Sequence, residues 1–133
     1  MTVLEPPIRV LFVCTHNSAR SQMAEGMLRA WGGDRFEAFS AGTEATHVRS
    51  EAIEVMREIG IDLSDRIPQR LTPELAEKAD VMVTMGCGDT CPYFPGKRYI
   101  DWDLPDPKGR PLAEVRATRD DIAARVKELV AEL

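Results

Sequence analysis

Cys14 and Arg20 are the pair in this chain best suited to covalent chemistry on an anion, since they flank the small polar run Thr15-His16-Asn17-Ser18-Ala19. A thiolate is the attacking form of cysteine. Arginine supplies a planar, two-pronged donor that matches a tetrahedral oxyanion, and Ser21 adds a hydroxyl beside it. The setting matters as much as the pair. Ile8 to Val13 is an almost wholly apolar, β-branched-rich run, the pattern of a strand buried on both faces of a parallel sheet. After the polar run, Met23, Met27 and Trp31 recur at four-residue steps and mark one face of a helix. The turn therefore feeds a helix N-terminus, whose unpaired N–H groups and positive dipole end gather an anion and favour a thiolate. Thr15, His16, Asn17, Ser18, Ala19, Arg20 and Ser21 are the expected oxyanion cradle, with Cys14 as the nucleophile beneath it. A cysteine that merely ended an apolar run would need neither the polar turn nor the arginine. Gly-x4-Gly-Lys, the nucleotide-cradling loop, is absent.

Two further thiols, Cys87 and Cys91, follow the apolar run Val81-Met82-Val83-Thr84-Met85. If that run is a strand parallel to the first, Cys87 leaves the sheet at the same edge as Cys14 and can attack it, and Cys91 can in turn attack Cys87. In a regular helix an i, i+4 pair has Cβ atoms ~5–6 Å apart, whereas a disulfide wants ~3.8 Å. Closing Cys87 to Cys91 therefore deforms the segment, and hydrogen exchange over residues 86–95 should be faster in oxidised than in reduced protein. A zinc site is not expected, because the ligand spacing it needs is missing. Asp106, just past a fourth short strand, could give a proton to a leaving oxygen; the plainer alternative is that Asp106-Pro107 starts a turn. His16 and His47 read as loop histidines, and Trp31 as core.

The remaining composition bounds the class. The chain has 133 residues, 44% hydrophobic and 29% charged, which suits one globular domain over residues 1–133 with a real core. A net charge of -5 argues against nucleic acid, whose binders need a concentrated basic face. Apolar runs are only strand-length and no charged-then-apolar leader opens the chain, so no membrane association is expected and the cytoplasm is the default. An odd count of three cysteines does not build a disulfide framework.

The elements that must position these groups follow in order. After the first strand and helix, which stops at Gly32-Gly33, Phe36 to Ala41 reads as a second strand ending in Gly42. Ser50 is placed to cap a helix carrying Ile53, Met56 and Ile59, with Gly60 as its stop. Thr72-Pro73-Glu74 is a strong helix start. Val81 to Met85 is the third strand, Lys97 to Ile100 the fourth. From about Leu112, the positions Val115, Ile122, Val126, Leu129 and Leu133 mark a closing amphipathic helix. Strands alternating with helices imply right-handed crossovers and a three-layer α/β fold, a parallel sheet with helices on both faces. Ligands of such sheets bind beyond the carboxyl ends of the strands, at the point where strand order switches.

Cys14 through Gly26, Ser40-Ala41-Gly42, Val83-Thr84 through Cys91-Pro92, and Asp106-Pro107 together resemble the arsenate reductases built on the low-molecular-weight protein tyrosine phosphatase fold, usually coupled to thioredoxin. The match covers nearly the whole chain. It implies a four-stranded parallel sheet and a relay: Cys14 attacks arsenate held by the loop amides and Arg20, and Asp106 assists loss of an oxygen. Cys87 attacks Cys14, arsenite leaves, and Cys91 takes over the disulfide for reduction by thioredoxin. Asn17 matches the residue that holds the turn's shape and Ser21 the hydroxyl that steadies the thiolate. Phosphate or sulfate would bind as analogues, and no cofactor or metal is expected; some relatives bind potassium beside the loop through residues matching Asn17, Glu25 and Ser40 plus an aspartate, where this chain has Gln69. Related enzymes use mycothiol in place of thioredoxin. His16 and Ala19 depart from many relatives, which have glycine and a second loop cysteine there, and the Cys87–Cys91 interval is shorter than in the best-known members. The rival readings are a phosphotyrosine phosphatase, which would need neither Cys87 nor Cys91, and a non-enzymatic oxyanion sensor or redox switch.

Overall fold

The structure, a computed structural model, describes residues 6–85, 93–104, 107 and 109–133. Cys87, Cys91 and Asp106 lie outside the described residues. Four strands, β1 (Ile8–Cys14), β2 (Phe36–Gly42), β3 (Val81–Thr84) and β4 (Arg98–Asp101), pair in parallel in the order β2-β1-β3-β4. The helices are α1 (Arg20–Trp31), α2 (Ser50–Arg57), α3 (Pro73–Lys78) and α4 (Leu112–Glu132).

Strand alternation sorts the side chains into two cores. Val10, Phe12, Cys14, Val81 and Val83 point to one face, where they pack with Met23 and Met27 of α1, Val55 of α2 and Ile122 and Val126 of α4. Leu11, Val13 and Met82 point to the other, against Leu75 and Ala76 of α3. Helices thus cover both faces, as the three-layer reading expected. The chain runs from β1 outward to β2 and then crosses to β3 on the far side of β1, so strand order switches between β1 and β3. Cys14 ends β1 at that switch, and the backbone N–H of Met85, just after β3, donates to Val13 O at 2.8 Å.

Thr72 caps α3 as its sequence suggests, its Oγ1 accepting from Leu75 N, with Pro73 in the first turn. Two other expectations need correction. Ser50 does not cap α2: the helix starts at Ser50 itself, after an extended Arg49 whose N–H donates to Ser18 O at 2.9 Å. A backbone tie to the first loop, not a hydroxyl, sets that boundary. Trp31 is not core but 37% exposed, because the last turn of α1 extends to where Lys127 of α4 lies over the indole at 5.2 Å. The helix over Ile53 and Met56 ends at Arg57, and the Gly60 stop is a turn at φ 80°, a conformation that favours glycine.

Glu58 joins α2 to α4. Its carboxylate accepts from Arg116 Nη2 at 2.8 Å and Arg119 Nη1 at 2.6 Å, and Arg119 Nη1 also donates to Val55 O at 2.8 Å. The hydrogen bonds from Arg116 and then Arg119 hold the Glu58 carboxyl below its ordinary range. A carboxyl whose folded pKa is lowered stabilises fully above its unfolded value of ~4.3 and loses that contribution as pH falls through the folded value. Glu58→Gln should therefore melt below the wild type at pH 7, and the gap in Tm should close as acid protonates the wild-type carboxyl; melts at neutral and strongly acid pH check this. Among the described residues, no helix is long and apolar enough to cross a membrane.

Candidate active site

The loop from Cys14 to Arg20 is held from outside by its carbonyls. The N–H groups of Thr43, Glu44, Thr46 and Arg49 donate to the carbonyl oxygens of Cys14, Thr15, His16 and Ser18 at 3.2, 2.7, 3.1 and 2.9 Å. Since a peptide's N–H points opposite to its C=O, tying the carbonyls to this strap turns the loop's N–H groups toward the enclosed side. Those of Thr15, His16, Ser18 and Ala19 have no hydrogen-bonded acceptor among the described residues. They suit a small oxyanion. The start of α1 agrees: Ala19 at its N-cap gives no side-chain cap, and no acid stands in the first turn to compete for the dipole.

Cys14 lies at the floor of this loop, 2% exposed. Its Sγ is 2.8 Å from Ser21 Oγ and accepts from Asn17 N at 3.2 Å. The Asn17 N–H favours a thiolate, and the Ser21 hydroxyl does so when it is the donor. Asn17 takes φ 52°, in the left-handed region where asparagine is among the better tolerated residues. Its side chain fixes the turn from three directions: Nδ2 donates to Ser21 Oγ at 2.7 Å, while Oδ1 accepts from Gln22 Nε2 at 3.1 Å and from Gln69 N at 2.9 Å. Arg20 is 5% exposed and its Nη1 donates to Leu104 O at 3.2 Å. That contact ties the guanidinium to the segment that leads to Asp106. His16 sits on the outer rim with Nε2 3.7 Å from Glu44 Oε2, and contributes backbone, not imidazole, to the loop.

Thr15 to Ser21 thus lie in one turn around Cys14. Cys87, Cys91 and Asp106 lie outside the described residues; β3, which precedes Cys87 in the chain, pairs directly with β1 in parallel.

Several positioning residues were not foreseen. Gly42, where β2 ends, accepts no side chain: a Cβ there would stand 2.7 Å from Asn17 N and Thr15 O and 2.8 Å from His16 C, all backbone atoms. The glycine after a strand was visible in sequence, but not what pressed against it. Gly42→Ala should push the loop out of shape and lower kcat/KM by roughly 10²-fold, the usual cost of misplacing reacting groups by about 1 Å; steady-state kinetics beside a thermal melt measures it. Gln69, noted in the sequence only as the residue standing where some relatives have an aspartate, also positions the loop. Its N–H reaches Asn17, its O accepts from Gly42 N at 2.9 Å, and its Nε2 donates to Ser40 O at 2.9 Å. No local pattern marks a residue whose role is to touch three others far along the chain.

A strand-terminal cysteine, loop N–H groups with no acceptor among the described residues, a buried arginine and a helix N-terminus come together here, an arrangement suited to an oxyanion above a thiol. Proteins of known name and structure resemble the chain over most of its length. The chain is 41% identical to an arsenate reductase of Halalkalibacterium halodurans over 89% of this chain and 91% of that one. It superposes on a thioredoxin-dependent arsenate reductase of Corynebacterium glutamicum with a TM-score of 0.80 and 38% identity, covering 96% of this chain and 62% of that one. It superposes equally well, at a TM-score of 0.84 and 33% identity, on a low molecular weight protein tyrosine phosphatase from T. tengcongensis, covering 95% of this chain and 99% of that one. Residues 9–133 match the low molecular weight phosphotyrosine protein phosphatase model, and with that loop at its centre the chain belongs to this family.

Proposed function

We propose that this chain reduces arsenate to arsenite, with Cys14 as nucleophile, Cys87 and Cys91 as the thiols that carry the electrons away, and thioredoxin as the reductant. The thiolate of Cys14 attacks arsenic(V) held by the loop N–H groups and Arg20. An As–S bond forms and an oxygen leaves as water, Asp106 supplying the proton. The Cys87 thiolate then attacks Cys14 Sγ. An S–S bond forms, the As–S bond breaks, and its electron pair stays with arsenic, which departs as arsenic(III). Cys91 attacks Cys87, releasing Cys14 as a thiolate and leaving a Cys87–Cys91 disulfide. Thioredoxin, or mycothiol in its place, returns two electrons to that disulfide in a reducing cytoplasm.

One observation carries this reading: β3, the strand leading to Cys87, is hydrogen-bonded directly to β1, which ends in Cys14. The second reading, phosphotyrosine hydrolysis, is favoured by the solved phosphatase of the same shape. It uses the loop, Arg20 and Asp106 and leaves Cys87 and Cys91 idle. Site and not fold decides between them. Arsenate-dependent NADPH oxidation with thioredoxin and its reductase, set beside hydrolysis of an aryl phosphate, is the test. Turnover of arsenate supports the reductase; fast ester hydrolysis with no arsenate-dependent oxidation overturns it.

A further inference from the structure

Behind the loop lies a buried carboxylate that the chemistry does not use. Glu25 is 1% exposed, accepts from Ser40 Oγ at 2.6 Å, and pairs with two guanidinium groups, Arg29 Nε at 2.8 Å and Arg66 Nη2. A buried carboxylate is costly unless paired and hydrogen-bonded, so the cations explain its presence. Arg29, largely exposed, makes its further contact with β2, its Nη2 donating to Ala38 O at 3.3 Å. Arg66 does more: its Nε also donates to Gln22 Oε1 at 3.2 Å.

The direction of that bond propagates. A guanidinium can only donate, so it fixes Gln22 with Oε1 toward itself and Nε2 away. Gln22 Nε2 then donates to Asn17 Oδ1, where Gln69 N also donates. Asn17 is left with Nδ2 toward Ser21, whose Oγ accepts it at 2.7 Å. The Ser21 hydroxyl has a single hydrogen, and with Oγ taking Asn17 Nδ2 that hydrogen is free for Cys14 Sγ at 2.8 Å. We propose that Arg66 is a positioning residue for the nucleophile: anchored on Glu25, it orients Gln22 and Asn17 so that Ser21 donates to the Cys14 sulfur.

Burial pushes the Arg66 guanidinium pKa downward, but arginine is not deprotonated in proteins and remains a cation at neutral pH. The charge that orients the relay is therefore constant. Gln69 N shares Asn17 Oδ1 with Gln22 Nε2, so loss of Arg66 loosens the relay without reversing it. An open recess of about 410 Å³, lined in part by Arg29, Asp62 and Arg66, leaves this end of the relay reachable from solvent.

The proposal rests on Cys14 being the nucleophile, and its test uses neither arsenate nor a reductant. The measurement is the rate at which reduced protein is alkylated by iodoacetamide at neutral pH, resolved at Cys14 by peptide mapping. Arg66→Met and Gln22→Met should each slow labelling of Cys14 roughly tenfold, the scale of one lost charge-assisted contact. Gln22→Met is nearly isosteric and leaves the Arg66–Glu25 pair in place, so it separates the relay from simple charge neutralisation. Millimolar guanidinium should restore Arg66→Met and leave Gln22→Met slow. Wild-type labelling in Gln22→Met, or an Arg66→Met variant that folds and stays slow in guanidinium, overturns the proposal. If Arg66→Met does not fold, Gln22→Met decides alone. A chain that failed to turn over arsenate yet obeyed these rates would lose the proposed reaction and keep the relay.

Discussion

Cys14→Ser should abolish arsenate turnover, a loss of roughly 10⁴-fold or more, the scale on which removal of a nucleophile reads in other enzymes. The loss is deeper than weaker attack. Serine oxygen cannot join Cys87 in a disulfide, so the two electrons that reduce arsenic have no donor. Binding should survive. Four of the loop's N–H groups have no acceptor among the described residues and, with Arg20, are placed to take the anion without the sulfur, and the Asn17 contacts to Gln22 and Gln69 that shape the turn do not involve Cys14. Phosphate titrated calorimetrically into Cys14→Ser should bind about as well as into wild type. Loss of binding together with turnover would mean that the sulfur builds the loop as well as using it.

Arg20→Lys should lower kcat/KM for arsenate by roughly 10²–10³-fold, the cost of removing one well-placed oxyanion donor. Charge is preserved, so the effect isolates geometry. A guanidinium can hold two oxygens of a tetrahedral anion in one plane, whereas an ammonium is a single point of charge on a flexible stem. Arg20 also donates through Nη1 to Leu104 O at 3.2 Å, and lysine cannot serve that carbonyl and the anion together. Steady-state kinetics with arsenate as the varied substrate checks it. A loss below threefold would place the anion's main contacts on the loop amides alone.

How much of this was legible from the chain depends on how local each cause is. The strand before Cys14 and the helix after Arg20 are written in adjacent residues, and β1 ends at Cys14 and α1 begins at Arg20 as the sequence suggests. So is the Thr72-Pro73 start of α3, where cap and first turn are neighbours. Ser50 misled because an equally local rule lost to a distant one: Arg49 is tied to Ser18, and the helix begins where that tie releases it. Trp31 misled because four-residue spacing says which face a residue is on and not how far the opposing layer extends. Gly42, Gln69 and Arg66 shape the loop from segments 22 or more residues beyond it, through contacts that no spacing rule encodes. The strap at residues 43–49 belongs with them, since a run of backbone donors has no side-chain signature.

The central claim is that Cys14, Cys87 and Cys91 pass two electrons to a bound arsenate. A single turnover without any external reductant tests it most directly: mix fully reduced protein with excess arsenate, measure arsenite, and map disulfides by mass spectrometry. The expected result is one arsenite per chain and a Cys87–Cys91 disulfide in the wild type, one arsenite and a Cys14–Cys87 disulfide in Cys91→Ser, and no arsenite in Cys87→Ser. Arsenite from Cys87→Ser at the wild-type yield, or no arsenite from the wild type, would contradict the relay.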